Sequence, residues 1–181
     1  RDLMRYERNR KGIAYQVRNL LKVPLLAAAG GAWPLLLIGH SMGSVIAYDA
    51  LWELSHEHGN PVSIDLFLTM GSQLGQHFMQ RKLNGHDASG AKRYPVNIWR
   101  WTSLSAIGDL TAIDLALVND FGEMRELGLL DEFFDGELFN YFRLDGVLNT
   151  HAEYGYLVNE KTALTISKWW HGQSTGLANS V

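Results

Sequence analysis

The sequence contains no cysteine among its 181 residues. Disulfides, thiolate zinc sites and a cysteine nucleophile are therefore excluded. A basic excess is missing too, since 16 Lys and Arg stand against 19 Asp and Glu for a formal net charge of -3. Nucleic-acid surfaces usually need the opposite balance, so no nucleic-acid partner is expected. Long apolar runs are nearly absent. The one uncharged stretch, residues 23–39, is at the short limit for a membrane span and is interrupted by Pro24, Gly30, Gly31 and Pro34. It reads better as a helix ending near the Gly30-Gly31 pair followed by a buried strand, with no transmembrane span. The first ten residues are mostly charged or polar, so no secretory signal is visible. These absences leave the compartment open and lean toward the cytoplasm. What remains is ordinary globular composition, 46% hydrophobic and 19% charged, at a length that suits one domain.

Hydrophobic spacing divides the chain into alternating elements. Residues 1–29 read as a helix through Leu3, Tyr6, Ile13, Val17, Leu20 and Leu21. Residues 34–39 are wholly apolar, as in a strand buried on both faces. A helix follows with Met42, Ile46, Ala50 and Leu54 on one face, stopped by Gly59-Asn60-Pro61. A second strand covers 62–70, a polar loop with some helix 76–94, and a third strand 96–103. Residues 110–136 mix acidic and apolar residues without one clean period and read as an excursion over the sheet. A fourth strand is expected over 138–144, closed by Asp145-Gly146, and a last helix over 156–170. The domain so drawn covers 1–171, with 172–181 as a disordered tail. Strands alternating with helices predict an α/β fold, a mostly parallel sheet of about four strands flanked by helices.

One segment carries chemistry. Gly39-His40-Ser41-Met42-Gly43 places G-x-S-x-G between a buried strand and an amphipathic helix. Turning from strand to helix within about two residues puts Ser41 in a strained conformation and presents its Oγ above the strand ends. Without a Cβ, Gly39 and Gly43 are expected to let strand and helix pack closely. The first N–H groups of the helix, starting with Met42, then face the place where an oxyanion would form. The plainer alternative is a glycine-rich turn with an N-capping serine; the strand-turn-helix context favours the nucleophile.

The stretch GHSMGSVIAYDAL resembles the nucleophile elbow and following helix of the α/β-hydrolase superfamily, specifically its serine esterases and lipases. TMGSQLG is similar to the turn after that family's next strand, WTSLSAIGDLTA to the stretch delivering its triad acid, and HAEYGYL to the stretch carrying its histidine. The resemblance implies an α/β-hydrolase-like fold, with Ser41 as nucleophile, Asp109 as acid, His151 as base and Met42 N–H in the oxyanion hole. It implies acyl transfer to and from Ser41 on a small-molecule ester or lipid substrate, with thioesters and amides left open and no metal or organic cofactor required. The family's chain order, serine then acid then histidine, selects His151. His40 precedes the nucleophile, and His56 and His58 end a helix without a third metal ligand nearby. His77 and His86 come too early, and His171 closes the last helix. Asp145 is the main rival for the acid, and Asp114 is expected to face outward.

A non-catalytic α/β-hydrolase-like binding domain is the second reading. A nucleotide-binding protein is disfavoured, because 39–43 lacks both G-x-G-x-x-G and the P-loop lysine. The aromatic and aliphatic residues of 127–142 read as core, with a lid or acyl-chain pocket as the functional alternative. The likeness covers only the second half of the family's domain. It therefore implies that N-terminal strands are missing, that the missing part packs on the strand from Leu35 to Ile38, and that it brings the second oxyanion donor. By themselves, residues 1–181 are then expected to be poorly soluble and nearly inactive.

Overall fold

Strands of five to nine residues separated by helices pair their backbones by lying side by side, and they do so here in one parallel sheet. The first of them, expected to be buried on both faces, instead leaves Ile38 exposed. The computed structural model describes residues 12–29, 31, 33–56, 62–112 and 116–178, with no side chains described for 13 and 173–178. Its four sheet strands are β1 (Leu36–His40), β2 (Ile64–Met70), β3 (Ile98–Ala106) and β4 (Glu132–Leu138), in the spatial order of the sequence. All three pairings are parallel. The chain has an α/β fold, as the alternation predicts. The expected split of the 23–39 run also holds: α1 (Ile13–Ala29) ends within it and β1 begins at Leu36. Among the described residues no helix is long and apolar enough to cross a membrane.

A parallel sheet whose strands run in chain order places its connections on one face when every crossover has the same hand. Those connections are α2 (Met42–His56), then α3 (His77–Gln80) and a 3₁₀ turn (Gly90–Arg93), then α4 (Leu117–Phe121) and α5 (Glu123–Glu126). They cover the larger core, which contains Tyr48, Leu51, Phe67, Trp101, Phe121 and Phe133. Register aligns Phe67, Trp101 and Phe133 across three strands, with ring centroids 5.3 and 4.7 Å apart. The smaller core on the opposite face joins Leu68, Met70, Leu104, Ala106 and Leu138 to Tyr156 and Ile166. Those last two residues come from α6 (Glu153–Leu157) and α7 (Glu160–Ala178). Helix α1 is locked to α2 by a buried ion cluster in which Glu53 takes Arg18 Nε at 2.6 Å and the Lys22 ammonium. At the sheet's edge β1 pairs only with β2 among the described residues, and Ile38 is exposed.

Several boundaries differ from expectation. The fourth strand is 132–138, not 138–144; residues 143–144 instead form β5 (Arg143–Leu144), in an antiparallel hairpin with β6 (Val147–Leu148). The sequence EFFDGEL buries Phe133 and Leu138 and leaves Phe134 outside. Its Gly136 leaves room for a neighbour, since a Cβ there would lie 2.9 Å from Leu104 Cδ2, which would have to shift. Within the stretch 110–136, the described part from 117 on is a short helical excursion that re-enters the sheet at Glu132. Within the 127–142 stretch, Leu130, Phe133 and Leu138 are core while Leu127, Phe134, Phe139 and Tyr141 are exposed. The last helix is two helices, broken at Asn159, whose Oδ1 accepts Lys161 N–H at 3.0 Å and so starts α7. Helix α7 runs on to Ala178. Leu3, Tyr6, the stop at 59–61 and Asp114 lie outside the described residues.

Candidate active site

Strands β1, β2 and β3 end at the same edge of the sheet, and the sequence-predicted residues converge there. Ser41 follows β1 directly, and its N–H still pairs with Met70 O at 3.0 Å. Its φ of 52° is a left-handed conformation adopted by only two described non-glycine residues. Ladder pairing on one side and helix on the other leave the chain no gentler way to turn. Gly39 makes the turn possible, because a Cβ there would lie 2.8 Å from Ser44 Cα. Gly43 does not share that role: a Cβ there would meet nothing within 4 Å. The expectation of close packing at both glycines is corrected for Gly43, which sits in the first turn of α2 facing open space.

Ser41 Oγ lies 2.9 Å from His151 Nε2, and His151 Nδ1 lies 2.9 Å from Asp109 Oδ2. A carboxylate only accepts, so Nδ1 carries the proton, and in the neutral ring Nε2 is left to accept from Ser41. Asp109 is buried at the turn after β3, and its Oδ1 accepts Thr111 N–H at 2.9 Å and Thr111 Oγ–H at 2.6 Å. The Tyr156 hydroxyl donates to Asp109 Oδ2 at 2.7 Å. Burial pushes the Asp109 carboxyl up, but the hydrogen bonds from His151, Thr111 and Tyr156 outweigh it and hold the group at about 2. Asp109 is ionised at neutral pH.

Asp145, the rival acid, is exposed in the β5–β6 turn with φ 50°. There Asp145-Gly146 provides the two positive φ values that a tight hairpin needs. His40 donates Nε2–H to the carbonyl of His151 at 3.0 Å, and the two rings lie 4.8 Å apart. Burial first, then the neighbouring His151, lowers the His40 pKa, which favours the neutral ring. His56 bonds Tyr94 O at 2.7 Å, and His58 lies outside the described residues. Met42 opens α2, where the first N–H groups have no partner within the helix.

Other residues of the site were not singled out from the sequence. Asn140 is buried and donates to Thr150 O and Ala152 O, both at 2.9 Å, on either side of His151. Gly155 leaves it room, because a Cβ there would overlap Asn140 Oδ1 at 1.7 Å. Thr150 Oγ1 donates to Gly108 O at 2.9 Å, tying the histidine loop to the acid loop. Under the elbow, Ser44 donates to Ser41 O at 2.5 Å and pairs with Ser72 Oγ at 2.7 Å, which accepts Leu74 N–H at 3.1 Å. Since Ser44 spends its proton on a carbonyl, Ser72 is the donor of that pair. A lone amide in the aromatic run LFNYFRL was the available signal for Asn140; Ser44 and Ser72 had none.

No relative is found. A scan against protein-family models, a search of curated proteins and a search of solved structures each return no match. The arrangement must therefore be judged on its own chemistry. A serine hydroxyl donating to an imidazole, itself oriented by an ionised carboxylate beside a helix N-terminus, is equipped for nucleophilic attack with proton transfer.

Proposed function

We propose that this chain carries the nucleophile, base and acid of a serine hydrolase that cleaves carboxylic esters, of the esterase or lipase type within the α/β-hydrolase superfamily. The reading rests on one observation: the unbroken chain Ser41 Oγ, His151, Asp109, with both contacts at 2.9 Å and the serine on a positive-φ turn. His151 Nε2 takes the Ser41 proton as Oγ attacks the ester carbonyl. Asp109 stabilises the imidazolium, and the oxyanion forms against Met42 N–H. His151 then gives the proton to the leaving alcohol, which departs and leaves the acyl group on Ser41. Water enters, loses a proton to His151 and releases the acid, restoring Ser41.

On the same likeness, a part of the domain outside these residues packs on the strand from Leu35 to Ile38 and supplies a second oxyanion donor. One donor of that kind is typically worth about 10²–10³ in rate. The exposed Ile38, and a β1 that pairs only with β2 among the described residues, support this.

Labelling with a fluorophosphonate probe, followed by mapping of the modified peptide, tests the reading. Modification at Ser41 alone, lost in Ser41→Ala with the far-UV spectrum unchanged, is expected. No labelling, or labelling that persists in the variant, would favour a non-catalytic binding domain instead.

A further inference from the structure

Tyr156 is the largest side chain of the smaller core and is fully buried, yet its hydroxyl is not surrounded by apolar groups. Oη accepts Ala106 N–H at 2.8 Å and donates to Asp109 Oδ2 at 2.7 Å. The direction of that second bond is determined. The amide can only donate, so the phenol's single proton goes to the carboxylate. Burial first, then the hydrogen bond to Asp109, raises the phenol's pKa, which keeps that proton in place. Asp109 Oδ2 is thus held between two donors, Tyr156 Oη–H and His151 Nδ1–H, while Thr111 occupies Oδ1.

Space has been left for this contact. Gly71, at φ 54°, ends the strand beneath it, and a Cβ there would lie 3.0 Å from Asp109 Oδ2 and 3.1 Å from Tyr156 Oη. Tyr156 and His151 also arrive on one short segment, 151–156, which Asn140 clamps from below through Ala152 O. The titratable groups close to this point are His151, Asp109 and His40, whose ring centroid is 5.6 Å from that of Tyr156.

We propose that Tyr156 is a positioning residue of this site: its hydroxyl, braced against Ala106 N–H at the end of β3, holds Asp109 Oδ2 in line with His151 Nδ1. The inference rests on the hydrolase reading for its consequence, but its geometry can be tested without turnover. A hydrogen bond to a charged group is lost in Tyr156→Phe while the ring stays to fill the core. The ionised carboxylate loses one of its donors, so the Asp109 pKa rises from about 2 toward its ordinary value.

Carboxyl ¹³C NMR of Asp109 reads this directly between about pH 6 and pH 3, with circular dichroism following the fold over the same range. The wild-type resonance is expected to stay at its carboxylate position, the Tyr156→Phe resonance to move toward the protonated one, and Ser41 labelling to slow about tenfold or more. Leu138→Val, which loosens the same core without touching the hydroxyl, should leave the resonance in place. An Asp109 resonance that titrates alike in wild type and Tyr156→Phe overturns the proposal, as does an equal shift in Leu138→Val. Failure of the hydrolase reading would show instead as absent or misplaced serine labelling in the wild type, a separate result.

Discussion

The two glycines of the elbow have the same sequence signature and opposite expected costs. At Gly39 an added methyl would sit 2.8 Å from Ser44 Cα and 3.0 Å from Ser44 N, both backbone atoms of α2. Backbone cannot swing aside as a side-chain tip can, so Gly39→Ala must push the first turn of α2 away from β1 by roughly an ångström to restore ordinary contact. Overpacking of this kind costs about 1–3 kcal/mol, which for a chain of this length lowers Tm by roughly 2–12 °C. The displaced turn carries Ser41, and a misplacement of about 1 Å between reacting groups costs on the order of 10²-fold in rate. At Gly43 the methyl would meet nothing within 4 Å, and the residue lies inside α2. Gly43→Ala therefore gains about 0.5–1 kcal/mol of helix preference, raises Tm by roughly 1–4 °C and leaves the serine in place. Differential scanning fluorimetry and the rate of fluorophosphonate labelling measure both quantities. If Gly39→Ala and Gly43→Ala behave alike in both assays, the packing argument for the elbow is wrong.

Two further outcomes follow from the buried charges. Asp109 has its folded pKa depressed from 3.8 to about 2, so it contributes stability above the unfolded value that is lost as pH falls from about 4 through 2, an amount of about 2 kcal/mol. Asp109→Asn should flatten urea midpoints across that window and, by removing the charge that orients His151, slow labelling at neutral pH by about 10⁴; a wild-type acid slope in the variant would refute this. Glu53→Gln leaves Arg18 and Lys22 buried without their carboxylate and should destabilise the chain by about 3–5 kcal/mol in chemical denaturation; a change under about 1 kcal/mol would mean that the cluster is solvated in solution.

Local features were legible in the sequence because they depend on neighbours in the chain. The elbow is one: strand, turn and helix are contiguous, and Ser41 must take its positive φ wherever such a junction is built. The parallel sheet followed from apolar runs alternating with helical spacing. Asp109 and His151 were reachable only through the chain order of a family the sequence resembles, and the structure puts His151 against Ser41 and Asp109 against His151.

What the sequence left undecided is set by contacts between distant segments. LFNYFRL is more apolar than EFFDGEL, yet the latter is β4, because sheet membership is decided by backbone pairing with β3 and by the room that Gly136 leaves beside Leu104. An edge strand with one exposed face tolerates charges that a pattern search penalises. The different settings of Asp109 and Asp145 likewise lie in the fold, which puts one at the buried end of β3 and the other in an exposed hairpin turn. Tyr156 reaches Asp109 across 47 residues and Asn140 straddles His151, with no periodicity to announce either. Periodicity reports which face of an element is buried; the partner that satisfies a buried hydroxyl or amide is chosen only when the elements meet.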